Sequence, residues 1–156
     1  MLYVIGIGSP FGDDRIGCLM IDELRRSERV LSHLGREVEL LSVDRPGAGL
    51  LSLLEGKERV VIIDAVITGG AVGQLHRWTE SAVIEDKYTA NSSHGFGLAQ
   101  SLALGRALGI LPQHLKILGI EIVSLEAAGL SPQLRKQLPA LVENVTDEII
   151  FHAISG

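Results

Sequence analysis

Polar and apolar positions along the chain alternate between two patterns. Four short apolar runs read as strands: LYVIGI at 2–7, EVELLSV at 37–43, RVVIIDAV at 59–66 and LKILGIEI at 115–122. Between and after them, apolar residues recur at helical spacing over 14–31, over PGAGLLSLLEG ended by Gly56, from about Ser93 to Leu108, and from Ser131 onward. The run at 59–66 is apolar without alternation, which places it at the centre of a sheet. GQLHRWT at 73–79 alternates instead, which places it at an edge. The last helix opens on Ser131 as N-cap with Pro132 at its first position. Its apolar face is Leu134, Leu138, Leu141, Val145 and Ile149, and Pro139 is predicted to kink it or to start a separate helix.

Strands alternating with helices predict an α/β fold: a single-domain three-layer sandwich over 1–156, its twisted, mostly parallel sheet covered by helices on both faces. The length suits one core and not two. In such sheets, ligands bind at the carboxyl ends of the strands.

Charge narrows the partners. With 14 basic and 19 acidic residues the chain carries a net charge of -5, so no general attraction to nucleic acid or to an anionic membrane is expected. Cys18 is the only cysteine, which excludes an internal disulfide and a thiolate metal cluster. Its place in an apolar helical pattern reads as a small buried hydrophobe. No signal peptide pattern opens the chain and no apolar run is long enough to span a bilayer, so a cytoplasmic location is expected. A monomer is the default.

Chemistry gathers at the predicted carboxyl edge. GIGSPFGDDRIG at 6–17 turns on glycines after the first strand and then presents Asp13 and Asp14. Asp64 closes the third strand, and His94 lies in SSHGFG at a helix start. An aspartate at the end of an apolar strand is costly to desolvate, so Asp64 either braces a loop or serves a site. Two carboxylates and one imidazole on neighbouring loops make an oxygen and nitrogen ligand set suited to zinc, nickel or a similar divalent ion, with positions left open for chemistry. The helix start at Asp14 favours its ionised form. His33, His76, His114 and His152 have no comparable setting and read as surface or edge residues. A nucleotide site fits poorly: Gly6, Gly8 and Gly12 give GxGxxxG instead of GxGxxG, and the acidic pair would repel a pyrophosphate. No GxSxG elbow supports a serine hydrolase.

In this order and spacing, GIGSPFGDDRIG, VVIIDAV, SSHGFGLAQSLAL and LKILGIEI with GLSPQL resemble the nickel–iron hydrogenase maturation endopeptidases over essentially the whole chain. The resemblance implies a peptidase that removes a short C-terminal extension from the large-subunit precursor of a hydrogenase after nickel insertion. It also implies that Asp14, Asp64 and His94 contact the nickel and carry the catalysis. The nickel would come with the precursor, and another divalent ion, zinc or cadmium, can take its place in the isolated protein. Gly8, Ser9, Asp13, Asp44 and Gly47 would form the substrate-binding loops, with VDRPGAG at 43–49 as the second of them. Ser9 stands where the family commonly has asparagine, Pro10 and Arg15 are further departures, and the second loop lacks the family's threonine. Two other readings remain: a nickel-dependent checkpoint module that binds the precursor without cutting it, and a nucleotide-binding protein of the same architecture.

Overall fold

The computed structural model describes residues 1–9, 12–44, 46–85, 97–123 and 129–155. Among these residues, five strands form one sheet in the order β2-β1-β3-β5-β4: β1 Leu2–Gly8, β2 Val38–Asp44, β3 Arg59–Val66, β4 Leu75–Thr79 and β5 His114–Glu121. All pairings are parallel except β4 with β5, and β3 occupies the centre. The antiparallel β4 closes one edge, as its alternating sequence predicts.

Among the described residues, six α-helices cover the two faces: α1 Ile16–Arg26, α2 Glu28–Leu31, α3 Leu50–Leu54, α4 Glu80–Glu85, α5 Leu98–Leu108 and α6 Pro132–Ile154. Val4, Val61, Ile63 and Leu118 pack against Ile16, Met20, Leu24, Leu141, Val145 and Ile149 of α1 and α6. On the opposite face, Ile5, Ile62 and Ile117 pack against Leu50, Leu54, Val83, Leu98 and Leu102 of α3, α4 and α5. The three-layer sandwich is therefore the observed architecture. Among the described residues, no helix is long and apolar enough to cross a membrane.

Two expectations need correction. The stretch 14–31 is not one helix. A 3-10 turn over Gly12–Arg15 precedes α1, and Ser27 in extended conformation separates α1 from α2. Beyond that bend Val30 enters the core fully buried. Pro139 neither ends nor divides the last helix, which runs continuously through it. Pro139 is exposed, as is Arg135 one turn before it, so the carbonyl that loses its partner lies on the solvated side. The buried row Leu134, Leu141, Val145 and Ile149 holds the helix on the sheet regardless.

The seat of α1 on the sheet is unusually close. A Cβ on Gly17 would lie 2.0 Å from the Ile7 carbonyl oxygen and 2.8 Å from that of Ile63, and one on Gly6 would lie 2.3 Å from the Gly17 oxygen. Only bare backbone permits this approach. It brings the turn that carries Asp13 and Asp14 down onto the ends of β1 and β3.

Candidate active site

The turn after β1 begins at Gly12, whose φ of 52° suits glycine. It buries two adjacent carboxylates, Asp13 at 1% and Asp14 at 2% exposure. Their settings differ. Asp13 faces the β5–α6 junction: its Oδ1 accepts from the Ser131 N–H at 2.6 Å, and its Oδ2 accepts from Ser131 Oγ at 2.8 Å and from the Val123 N–H at 3.4 Å. Ser131 Oγ in turn N-caps α6 through the Leu134 N–H. Asp13, expected in the substrate-binding loop, is thus a brace between two chain segments more than a hundred residues apart. Asp14 instead accepts a 2.5 Å hydrogen bond on Oδ2 from Ser9 Oγ, and its carbonyl accepts from the Ser9 N–H. The serine that departs from the family pattern orients the expected metal-binding carboxylate.

Asp64 lies near the carboxyl end of β3, 1% exposed, with Oδ1 accepting from the Ala65 N–H at 2.9 Å. Strand alternation turns it to the face covered by α5, where it borders a small void with Gly47, Leu98 and Ser101. Ser101 Oγ donates to the Gly47 carbonyl, tying the second loop to α5. His94 lies outside the described residues, three positions before the Gly97 N-cap of α5. Among the described residues, no group of three or more His, Cys, Asp or Glu is arranged to hold a metal ion. Asp14, in the turn that follows β1, and Asp64, near the carboxyl end of the neighbouring β3, are the two expected ligands whose positions are seen.

The other loop residues divide between two places. Gly8, Ser9 and Asp44 line an open groove of about 440 Å³ with Arg15, Cys18 and Leu19, on the α1 side of the edge. Gly47 belongs with Asp64 on the α5 side. Cys18 is partly buried, its thiol set near the carbonyls of Val43 and Gly6. Burial pushes that thiol up, away from the reactive thiolate form.

Sequence reasoning missed one polar cluster at this edge. Glu121, at the end of β5 and 1% exposed, accepts from the Thr68 N–H at 2.7 Å, from Thr68 Oγ1 at 2.5 Å and from His76 Nε2 at 3.0 Å. Burial pushes its carboxyl up, but the Thr68 and His76 hydrogen bonds and the His76 charge outweigh this and hold it below the usual carboxylate range. His76, read from sequence as an ordinary edge residue, also stacks on Trp78 at 4.7 Å between centroids. The cluster fastens the loop that follows Asp64 to β5. The signal available in the sequence was a glutamate ending an apolar strand, the same anomaly that singled out Asp64.

Comparison with known proteins speaks to the family and the fold. The family model described as HycI, hydrogenase maturation protease, matches residues 29–148. The hydrogenase expression/formation protein HupD of Thiocapsa roseopersicina is 28% identical over 146 residues, covering 91% of this chain; the chain spans 64% of that relative's length. The hydrogenase 2 maturation protease of Escherichia coli K12 is 26% identical over 147 residues, covering 92% of this chain and 87% of that protein. Among solved structures, the hydrogenase maturating endopeptidase HybD from E. coli superposes with a TM-score of 0.78 at 26% identity, covering 95% of this chain and 91% of that one. The α/β architecture is shared across that length, and the chain belongs to the hydrogenase maturation protease family.

Proposed function

We propose that this protein is an endopeptidase that removes the C-terminal extension of a nickel–iron hydrogenase large-subunit precursor, with the precursor's nickel as the recognition element. The observation that carries the reading is the burial of two carboxylates at the carboxyl edge of the sheet, Asp14 in the turn after β1 and Asp64 on β3, in a chain of this family. Carboxylate oxygens with a histidine nitrogen from His94 suit a borderline divalent ion, and three protein ligands leave room for the precursor's own groups. Asp14 would be held to that task by Ser9, and Asp64 by the Ala65 N–H. The groove beside Ser9 and Arg15 offers an extended tail a path along the same edge.

In this reading the metal arrives as part of the substrate and polarises the scissile carbonyl or activates water. A carboxylate of the pair, or His94, accepts the proton of the attacking water. The protease should therefore ignore generic peptides.

The test is substitution at the three positions. Asp14→Asn, Asp64→Asn and His94→Ala should each slow processing of loaded precursor by about a hundredfold or more, within the range that positioned acid–base and metal contacts supply. If all three process precursor at the wild-type rate, the assignment is wrong. If they bind loaded precursor normally while even the wild type leaves its tail intact, the protein is a checkpoint module.

A further inference from the structure

At the sheet edge opposite the candidate active site, the amino ends of β1, β3 and β5 border an open cavity of about 320 Å³. Its lining includes two cations, Arg59 from β3 and Lys116 from β5, the imidazoles of His114 from β5 and His152 from the last turn of α6, and one acid, Glu80. The register sets Arg59 opposite His114, and Lys116 lies two residues farther along the same strand. Strand alternation places these three on one face of the sheet, the face that α6 covers.

Five other arginines meet carboxylates: Arg25 with Asp22, Arg26 with Glu23, Arg29 with Glu143 and Asp147, Arg77 with Glu148, and Arg106 with Glu85, while Arg36 donates to the Ser32 carbonyl. Arg59 donates instead to the backbone carbonyl of His152, and among the described residues neither Arg59 nor Lys116 has an acidic partner. Two half-buried cations thus border one cavity, and the one acid in its lining, Glu80, pairs with neither.

The imidazole beside them registers the same field. His152 is held below its ordinary value first by burial and then by Lys116 and Arg59, against the opposing pull of Glu148 on its own helix. An anion seated between Arg59 and Lys116 would relieve that positive field and let His152 take up a proton more readily.

We propose that this cavity is a binding site for a small anion of the phosphate or carboxylate class, held by Arg59 and Lys116. Arg59 offers a planar fork of donors suited to two oxygens, and Lys116 a point charge. The site lies at the far end of the strands from Asp14 and Asp64, and the proposal is independent of the maturation reading.

The test is a titration of the ¹⁵N-labelled full chain with inorganic phosphate, and separately with succinate, each against sodium chloride at matched ionic strength. Saturable shifts of the Val60 and Leu115 amides, with an upward move of the His152 titration midpoint, are expected for at least one of the two. Saturation by phosphate alone assigns a phosphate ligand, and saturation by succinate alone a carboxylate one. Lys116→Gln and Arg59→Gln should each weaken the response about tenfold or more. Lys116→Gln is the decisive variant, because Arg59 also caps α6. Shifts that grow linearly and match those in chloride, or saturable shifts that Lys116→Gln leaves unchanged, would overturn the proposal.

Discussion

Replacing Gly17 by alanine tests the physical basis of the site, because two effects of known size oppose one another there. On propensity alone, glycine to alanine inside a helix should stabilise by about 1 kcal/mol. The structure predicts the opposite sign. The new Cβ would stand 2.0 Å from the Ile7 carbonyl oxygen, where ordinary contact begins at 3.4 Å, so α1 must lift from the sheet by more than an ångström. The obstacle is backbone, and no side-chain rotation relieves it. Overpacking of this kind costs about 1–3 kcal/mol. Lifting α1 also loosens Ile16, Met20, Ile21 and Leu24, all fully buried and each worth about 1.5–3 kcal/mol when buried. The net expectation is a loss of about 2 kcal/mol or more, which lowers Tm by roughly 4–8 °C in a domain of this size. Urea unfolding followed by circular dichroism measures it directly. Gly49→Ala is the control: its φ is -61° and a Cβ there meets nothing within 4 Å, so it should be neutral or stabilising by up to about 1 kcal/mol. A Gly17→Ala protein as stable as the wild type would refute the close-approach argument. Since Gly17 follows Asp14 by three residues, cleavage should fall along with stability.

Other expectations follow from the braces at the carboxyl edge. Asp13→Ala removes three hydrogen bonds and strands the Ser131 and Val123 N–H groups, so it should cost about 2 kcal/mol or more in a thermal melt; Ser131→Ala, which keeps the N–H bond, should cost about 1 kcal/mol. Glu121 has a folded pKa below its unfolded one, so its stabilisation is full above about pH 4.5 and is lost as pH falls through the lowered folded value. Glu121→Gln should therefore be less stable than wild type at neutral pH and lose less on acidification, as pH-resolved urea titrations would show; a constant gap between the two from neutral to acid pH would exclude the role. Ser9→Ala, which frees Asp14 Oδ2 from its 2.5 Å bond, should leave Tm within a few degrees while lowering processing by about tenfold; an unchanged rate would remove Ser9 from the site.

The sheet and its order of layers were readable because the apolar runs at 2–7 and 59–66 are long, continuous and bounded by turn residues. Boundaries failed where tertiary packing overrode local pattern. Ser27 breaks a periodic stretch beyond which Val30 reaches the core, and Pro139 is tolerated because its open side faces solvent. The acidic turn after β1 stood out in the sequence as a candidate, but the different settings of its two aspartates did not. Adjacent aspartates look alike in sequence, and only the distant Ser131 and Val123 reveal Asp13 as a brace. Likewise Glu121 and His76 are 45 residues apart, and the antiparallel return of β4 that joins them is a property of the sheet.

The central claim is that nickel in the precursor licenses cleavage by this chain. The direct measurement is the C-terminal mass of hydrogenase large-subunit precursor after incubation with this protein, with and without nickel loaded. The account predicts loss of a short C-terminal segment from the loaded form alone, abolished by Asp64→Asn. Equal cleavage of loaded and nickel-free precursor, or none of either, would contradict it.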